Sequence, residues 1–294
     1  MPEGAAVNGR RVSGFAWPDL VPWSQLGPDF IEAWGRREDG RPDWEHLEVT
    51  GQSGSGKSYA IATILQQRAA RWNTAELVCL SKQTDDSIPL LGWPEVDDFE
   101  QLRNYRQATF WPRTTLVGAD KERYHEQRFY DLLSRLWPAP GELANCVVYL
   151  DEVRYLERLP GPSQGQRSRL RKLIRQYWRE GRSHGISLIA GAQRPVEMVR
   201  DQHSESRWKA VFPPADEGDM DRFAELLGRP RDWAPVLESL DQRAHQFVLR
   251  NSFTKDAYIT WVDVDLRPLP SQVDQGADHT PPGASYGSRR AAIA

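Results

Sequence analysis

The chain has 294 residues, of which 39% are hydrophobic and 27% charged, and its formal net charge is −3 at pH 7. This length and composition fit one large globular α/β domain with short appendages and exclude a chain that is disordered throughout. The slight negative charge disfavours a simple monomeric nucleic-acid coat, but it is compatible with a ring whose positive charge is confined to its pore.

The hydropathy pattern contains neither a membrane segment nor a secretory signal. The longest apolar runs, such as Cys146–Leu150, are too short to span a bilayer, and the N-terminus lacks a basic-then-apolar pattern. We therefore expect a cytoplasmic protein. The two cysteines, Cys79 and Cys146, each lie in an apolar run, so they are expected to be buried core residues and not a disulfide or a zinc site.

Composition divides the chain into three parts. Residues 1–44 are rich in Pro, Gly and Trp without a sustained period, which predicts an irregular N-terminal arm. We expect its tryptophans to pack on the chain's own domain, with anchoring onto a neighbouring molecule as the alternative. Residues 45–265 form the main domain. Residues 266–294 carry Pro, Gly, Ser and Gln without periodicity, which is typical of a disordered tail.

Strand patterns alternate with helix patterns through the main domain. Strands are predicted at 47–50, 77–81, 108–111, 146–150, 186–190, 208–212, 246–250 and 257–262. Helices are predicted at 57–72, 121–137, 167–180 and around 219–227. This alternation predicts an α/β fold with a central, mainly parallel sheet flanked by helices. The continuous apolar run at 146–150 is typical of a central strand that is covered on both faces.

A glycine-rich loop joins the first of these strands to the first helix. It matches the Walker A pattern and reads Gly51, Gln52, Ser53, Gly54, Ser55, Gly56, Lys57, Ser58. The glycines let backbone N–H groups turn toward phosphate oxygens, and the helix N-terminus adds a positive dipole. Lys57 is predicted to reach the β- and γ-phosphates of ATP, and the Ser58 hydroxyl to bind Mg²⁺. The alternative, a linker that matches by chance, is disfavoured by the flanking strand and helix.

Two acidic residues end the strand at 146–150, as in a Walker B motif. Asp151 is predicted to hold Mg²⁺, directly or through water, and Glu152 to activate the attacking water as general base. Such a strand can also end in solvated acids, but its position downstream of a Walker A loop favours the catalytic interpretation. The adjacent Glu152 favours hydrolysis over transfer to a small substrate. The sequence therefore predicts a RecA-like P-loop NTPase domain of the ASCE type, with ATP and Mg²⁺ as cofactors.

A further polar residue, Gln193, follows the strand at 186–190. Ligands of open α/β sheets bind at the carboxyl edge of the sheet, so Gln193 can hydrogen-bond the γ-phosphate or the lytic water there. The alternative is a polar residue that merely opens a surface loop.

The chain resembles the HerA/FtsK superfamily of ATP-driven DNA pumps in its Walker A loop, in the Asp151–Glu152 pair, and above all in Arg182…Gly185-Ile186…Gln193-Arg194-Pro195. The resemblance covers residues 47–262. It implies that Arg182 acts across a subunit boundary and that Gln193 senses the nucleotide. It also implies a hexameric ring that moves double-stranded DNA, as septal motors, conjugation couplers and viral packaging ATPases do.

The sequence departs from that superfamily in its outer segments. From the 294 residues we expect no membrane segment before the motor and no DNA-reading winged-helix domain after Val262. These departures favour a compact packaging or mobile-element ATPase, in a bacterial or phage-infected cell or in a virion. Its expected partners are double-stranded DNA, further copies of the chain, and a capsid, portal or transfer-complex protein. One alternative is a morphogenesis ATPase that acts on protein partners. Another is a small-molecule kinase, and Glu152, Arg182 and Gln193 disfavour the kinase.

The helix predicted at 167–180 carries a basic face. Its members are Lys172, Arg175 and Arg179 opposite the apolar stripe, with Arg169 and Arg171 beside them. In a ring, Arg169, Arg171, Lys172 and Arg175 are candidates to line the pore and follow DNA phosphates. A solvated arginine face, or an interface with an acidic neighbouring subunit, explains the pattern equally well.

Overall fold

All strands predicted from the sequence belong to a single sheet. The computed structural model of the protein describes residues 15–35, 43–72, 74–161, 166, 168–193, 200–214 and 216–266. Within these ranges the strands are β1 Asp19–Leu20, β2 His46–Thr50, β3 Ala75–Cys79, β4 Glu95–Val96, β5 Gln107–Phe110, β6 Cys146–Leu150, β7 Ile186–Ala192, β8 Ser206–Val211, β9 Phe247–Asn251 and β10 Ala257–Thr260. Each predicted strand is met within two residues at either end.

The order of the strands places three chemically important segments side by side. The sheet runs β1-β10-β9-β8-β2-β7-β6-β3-β5-β4, and among the described strands β9 alone is antiparallel to its neighbours. The predicted α/β fold with a central, mainly parallel sheet is therefore confirmed. Because β7 lies between β2 and β6 and is parallel to both, the segments that follow these three strands meet at one edge of the sheet.

Helices cover both faces of the sheet. They are α1 Trp23–Gly35, α2 Lys57–Arg71, α3 Phe99–Leu102, α4 Gly118–Leu136, α5 Val153–Arg158, α6 Arg169–Glu180, α7 Arg200–Glu205, α8 Met220–Leu227 and α9 Pro230–Glu238. Successive residues of β6 point to opposite faces: Val147 and Tyr149 pack with α1 and α2, while Val148 and Leu150 pack with α4, α5 and α6. A third apolar cluster joins α8 and α9 to β9 and β10. Cys79 and Cys146 are free thiols buried in this core, as predicted.

No helix in the described ranges combines the length and the apolar character needed to cross a bilayer.

The N-terminal segment is more regular than the sequence predicts. An irregular arm is expected over residues 1–44, but α1 and the edge strand β1 form within it. Trp23 and Trp34 are fully buried, and their indole N–H groups donate to Gln67 Oε1 at 3.0 Å and to the Glu45 carbonyl at 2.7 Å. The prediction of irregular structure is wrong here because Pro28, inside the helix, hides the helical spacing of these aromatics. Residues 1–14 and the tail predicted at 266–294, apart from Leu266, lie outside the described residues.

Candidate functional site

The glycine-rich loop lies between β2 and α2 at the carboxyl edge of the sheet. Gly54 and Gly56 have φ values of 79° and 94°, in the left-handed region that other residues rarely adopt. A Cβ on Gly56 would also lie 2.9 Å from the Cβ of His245. Lys57 begins α2, and its Nζ donates to the Gln52 carbonyl at 2.6 Å, so the ammonium lies across the loop. This loop at a helix N-terminus is a cradle suited to phosphate.

The electrostatics of the loop also favour an anion. Burial, followed by the nearby ammonium of Lys82, lowers the pKa of Lys57 to about 8. Asp151 and Glu152 oppose this shift. The two ammonium groups repel each other, and a polyphosphate bound at the loop would relieve that repulsion.

Asp151 follows β6 and points into the same edge of the sheet. The carboxylate is buried, and its Oδ1 accepts a hydrogen bond from the Tyr149 hydroxyl at 2.9 Å. Its Oδ2 is buried without a hydrogen-bond partner in the described residues, and it lies 3.6 Å from the Nζ of Lys82. Burial raises the pKa of Asp151, and the ammonium of Lys82 opposes that rise.

The neighbouring groups fit a divalent cation. The Nζ of Lys82 lies 3.4 Å from Ser58 Oγ, so one cationic group already lies between the two residues predicted to bind Mg²⁺. A carboxylate oxygen and a hydroxyl oxygen are the hard ligands that Mg²⁺ prefers. Ser58 and Asp151 therefore fit the metal that a P-loop nucleotide carries.

Glu152 and Gln193 are brought together from two adjacent strand ends. The Nε2 of Gln193 donates to the Oε1 of Glu152 at 2.8 Å. Glu152 has φ 49° and ψ 53°, a left-handed conformation, and α5 begins directly after it. The structure thus places all three predicted strand-end groups, namely the phosphate loop, the acid pair and the glutamine, at one edge. Arg194 and Pro195 lie outside the described residues.

Arg182 lies at the opposite edge of the sheet, in a short turn before β7. Its guanidinium forms an ion pair with Glu45, which precedes β2 and also lies 3.3 Å from the Nη1 of Arg207. Burial raises the pKa of Glu45, while the charge of Arg182 opposes that rise. The length of β7 separates Arg182 from the phosphate loop of its own chain, so this residue does not contribute to that loop.

The predicted basic face is narrower than the helical pattern suggests. Arg171, Arg175 and Arg179 follow one another at four-residue spacing on α6, and Lys172 lies beside them; we call these four residues the basic strip. Arg171, Lys172 and Arg179 are exposed, and Arg175 is half-buried.

Arg169 does not belong to the basic strip. Its Nη2 donates to Gln127 Oε1 at 2.7 Å and lies 3.3 Å from the buried carboxylate of Glu126. Its guanidinium also lies 4.3 Å from the ring centre of Tyr130. These contacts hold α6 against α4, while the Arg169 side chain remains 37% exposed, so its predicted contact with DNA stays a prediction.

Two residues at the site belong to no recognisable sequence motif, so the sequence analysis does not predict them. Lys82 follows β3, and His245 lies in a turn after α9. A pocket beside the phosphate loop is lined by Gln52, Ser53, Gly54, Ser55, Pro213, Gln242, His245 and Gln246. Both residues reach the loop through sheet topology alone, which a local spacing pattern does not encode.

Comparison with known proteins finds solved structures that share this fold. No protein-family model and no curated protein sequence matches the chain. A similar solved structure is the genome packaging NTPase B204 from Sulfolobus turreted icosahedral virus 2 in complex with ATP-gammaS, with TM-score 0.54 and 13% identity over 75% of this chain and 98% of that one. The bacterial conjugative coupling protein TrwB is similar with TM-score 0.51 and 11% identity over 91% of this chain and 99% of that one. At these identities the two similarities show a shared fold.

Proposed function

We propose that this protein is an ATPase whose hydrolysis of ATP drives the movement of double-stranded DNA, in genome packaging or in transfer of a mobile element. The observation that carries the proposal is the meeting of the phosphate loop, the Asp151–Glu152 pair and Gln193 at one sheet edge. The fold is shared with a genome packaging NTPase and a conjugative coupling protein, which supports DNA as the cargo.

The residues of the site have separate tasks in this proposal. The loop amides and Lys57 bind the phosphates, and Ser58 and Asp151 hold the metal. Mg²⁺ bound there would neutralise the negative charge of the phosphate oxygens. Glu152 accepts a proton from the attacking water, and its hydrogen bond from Gln193 holds the carboxylate in position. Gln193 follows β7, and Arg182 lies in the turn before the same strand. Loss of the Gln193–Glu152 hydrogen bond after hydrolysis would therefore be transmitted along β7 toward Arg182.

We assign DNA contact to the basic strip, and we propose that the chain assembles into a hexameric ring. Arginine and lysine side chains bind DNA phosphates without reading bases, which suits a motor that must move along any sequence. The side chain of Arg182 is 36% exposed although it is paired with Glu45, so a neighbouring subunit can reach it. We assign Arg182 the role of completing the nucleotide site of that neighbour, where it stabilises charge in the transition state. A capsid, portal or transfer-complex protein is the expected docking partner.

DNA-stimulated hydrolysis tests this function. We expect unrelated double-stranded DNAs to stimulate ATP hydrolysis to a similar degree, and DNA binding to weaken steeply with salt because counterions are released from the phosphates. Replacing Arg171, Lys172 and Arg175 together with Gln should abolish the stimulation and flatten the salt dependence, while basal hydrolysis is retained.

A matched control removes the same charge elsewhere. Arg113, Arg123 and Arg135 are exposed and pair with carboxylates at the surface, away from the basic strip, so their triple replacement with Gln should leave the stimulation intact. If oligomeric wild-type protein hydrolyses ATP but neither binds DNA nor responds to it, the DNA motor is wrong. A morphogenesis ATPase that acts on protein partners would then be the better assignment.

A further inference from the structure

Lys82 occupies the position between the two predicted metal ligands. Its Nζ lies 3.4 Å from Ser58 Oγ and 3.6 Å from Asp151 Oδ2, and it forms a closer ion pair with Asp85 Oδ2 at 2.5 Å. No motif contains this lysine, and the proposed hydrolysis does not use it. Its ammonium is the positive charge closest to the buried Asp151 carboxylate in the described residues.

The backbone at Lys82 is fixed by its neighbours. The indole N–H of Trp111 donates to the Lys82 carbonyl at 2.7 Å, and the adjacent Ser81 donates from its hydroxyl to the Asp151 carbonyl at 3.3 Å. The side chain of Lys82 therefore enters the site from a backbone segment that these two hydrogen bonds hold in place.

Asp85 provides a second, permanent position for that ammonium. Its Oδ1 accepts the backbone N–H groups of Ser87 at 2.9 Å and Ile88 at 2.7 Å, and its side chain is 2% exposed. These hydrogen bonds lower the pKa of Asp85 together with the ion pair to Lys82, although burial opposes them. The carboxylate is therefore ionised and rigidly placed at neutral pH.

We propose that Lys82 is a built-in counter-ion, which neutralises the Ser58–Asp151 pair in the nucleotide-free protein and yields its place to Mg²⁺ when the metal arrives with a nucleotide. The inference rests on the proposed nucleotide site but not on DNA. An ammonium and a divalent cation repel each other, and Mg²⁺ requires oxygen ligands at about 2.0–2.1 Å, so both cannot lie between the same two oxygens. On displacement the ammonium stays with Asp85.

This exchange ties metal binding to nucleotide binding. Without Lys82, the buried Asp151 carboxylate would lose its closest cation and would attract free metal from solution. With Lys82 in place, free Mg²⁺ must displace an ammonium, whereas a nucleotide brings its own phosphates to hold the metal. The site therefore fills with metal and nucleotide together.

Titration with Mn²⁺, followed by its electron paramagnetic resonance signal, tests the proposal without measuring activity. Wild-type protein should bind Mn²⁺ weakly alone and tightly with ATPγS. Lys82→Met keeps the apolar stem and removes the charge, so it should bind Mn²⁺ without nucleotide at least about tenfold more tightly than wild type. Adding Asp151→Asn to that variant should remove the gain. Lys121→Met, which removes a lysine charge from α4, should behave as wild type.

Lys82→Gln provides a second variant, and thermal unfolding verifies that each variant is folded. The proposal is overturned if both folded Lys82 variants bind Mn²⁺ no more tightly than wild type without nucleotide, while wild type with ATPγS binds it well. If wild type fails to bind Mn²⁺ even with ATPγS, the metal site itself is wrong, and the nucleotide site proposed above fails with it. DNA is left out of every titration, so the result does not depend on the DNA motor.

Discussion

At the scale of single residues, the site combines strain with burial. Glu152 has φ 49°, in the left-handed region, which costs a non-glycine residue about 1 kcal/mol. The surrounding structure maintains it, because the Glu152 carbonyl accepts the N–H of Tyr155 at 2.8 Å and α5 begins there. Asp151, one residue earlier, is buried. The two acids are therefore held in different environments, as their separate roles in metal binding and proton transfer require.

Two substitutions separate nucleotide binding from hydrolysis. Lys57→Ala should abolish tight ATP binding, because it removes the ammonium group at the loop and the hydrogen bonds it would donate to phosphate. Glu152→Gln should bind ATP as wild type does but hydrolyse it at least about 100-fold more slowly, because only the general base is removed. Fluorescent-nucleotide titration and phosphate release measure the two effects. Equal binding defects in both variants would show that the two roles are misassigned.

A buried histidine gives the stability of the fold a pH dependence. His46 accepts the N–H of Leu188 on Nδ1 at 3.0 Å and therefore donates from Nε2 to the Trp178 carbonyl at 3.1 Å. Burial lowers its pKa from 6.5 to about 3, and the charge of Arg182 adds to this. The neutral ring satisfies both contacts, whereas the protonated ring would lose the one to Leu188.

The sign of this dependence follows from the lowered pKa. The contribution of His46 to stability is present above pH 6.5 and is lost as the pH falls toward the pKa of about 3 in the folded state. Between pH 7 and pH 5 it should reduce the free energy of unfolding by about 2 kcal/mol. Urea unfolding of wild type and of His46→Gln at the two pH values measures it. The same loss in the variant would exclude His46 as the source.

At the scale of secondary-structure elements, α6 shows how one helix serves packing and surface chemistry. Leu170, Ile174 and Trp178 lie buried on one side, and the basic strip lies on the other. The helix starts after Ser168, whose hydroxyl accepts the N–H of Arg171 at 3.1 Å and caps it. Arg169 then joins the first turn to α4. The basic strip lies on the exposed side of the helix, away from α4.

Two arginines at the start of α6 should therefore behave differently. Arg169→Ala should reduce the free energy of unfolding by about 1–2 kcal/mol, because it removes an ionic partner of the buried Glu126 carboxylate. Arg171→Ala should change it by less than about 0.5 kcal/mol but should weaken DNA binding. Urea unfolding and a DNA-binding titration separate the two effects. A larger loss of DNA affinity in Arg169→Ala, at unchanged stability, would place Arg169 back on the DNA surface.

The elements that the sequence predicts well are those with a continuous or regular apolar pattern. β6 has the predicted bounds because every residue from Cys146 to Leu150 is buried, so no alternation complicates the pattern. Two-residue strands such as β1 and short helices such as α5 carry too few residues to show a period. At the site, motif residues are neighbours in sequence, whereas Lys82 reaches Ser58 only through the order of the strands. The contact between Arg169 and α4 is not visible in the sequence either, because it depends on how distant segments pack in the fold.

At the scale of the whole molecule, the two ends of β7 carry different halves of the proposed chemistry. Gln193 lies at the nucleotide edge, and Arg182 lies at the far edge, held by Glu45. One chain alone therefore presents a nucleotide site without this arginine, and an arginine without a nearby phosphate loop. A ring in which neighbouring chains are placed edge to edge would complete each site.

Mixed oligomers test action across that boundary. Arg182→Ala should bind ATP as wild type does yet be inactive, because an arginine of this kind can contribute about 10³–10⁵ in rate. Mixing it with Lys57→Ala protein should restore part of the hydrolysis, since some interfaces then pair an intact loop with an intact arginine. Absence of recovery in verified mixed oligomers at several ratios would contradict action in trans.

Displacement of a third strand from double-stranded DNA tests the central claim, that this ATPase moves along DNA, most directly. A labelled triplex-forming strand is annealed at one end of a linear duplex, and its release is followed after protein and ATP are added. We predict release by the wild type with ATP, and none with ATPγS or with Glu152→Gln. The Gln triple variant of the basic strip should also fail, while the Arg113, Arg123 and Arg135 control should succeed. Vigorous ATP hydrolysis by the wild type on the same DNA with the third strand still in place would contradict translocation.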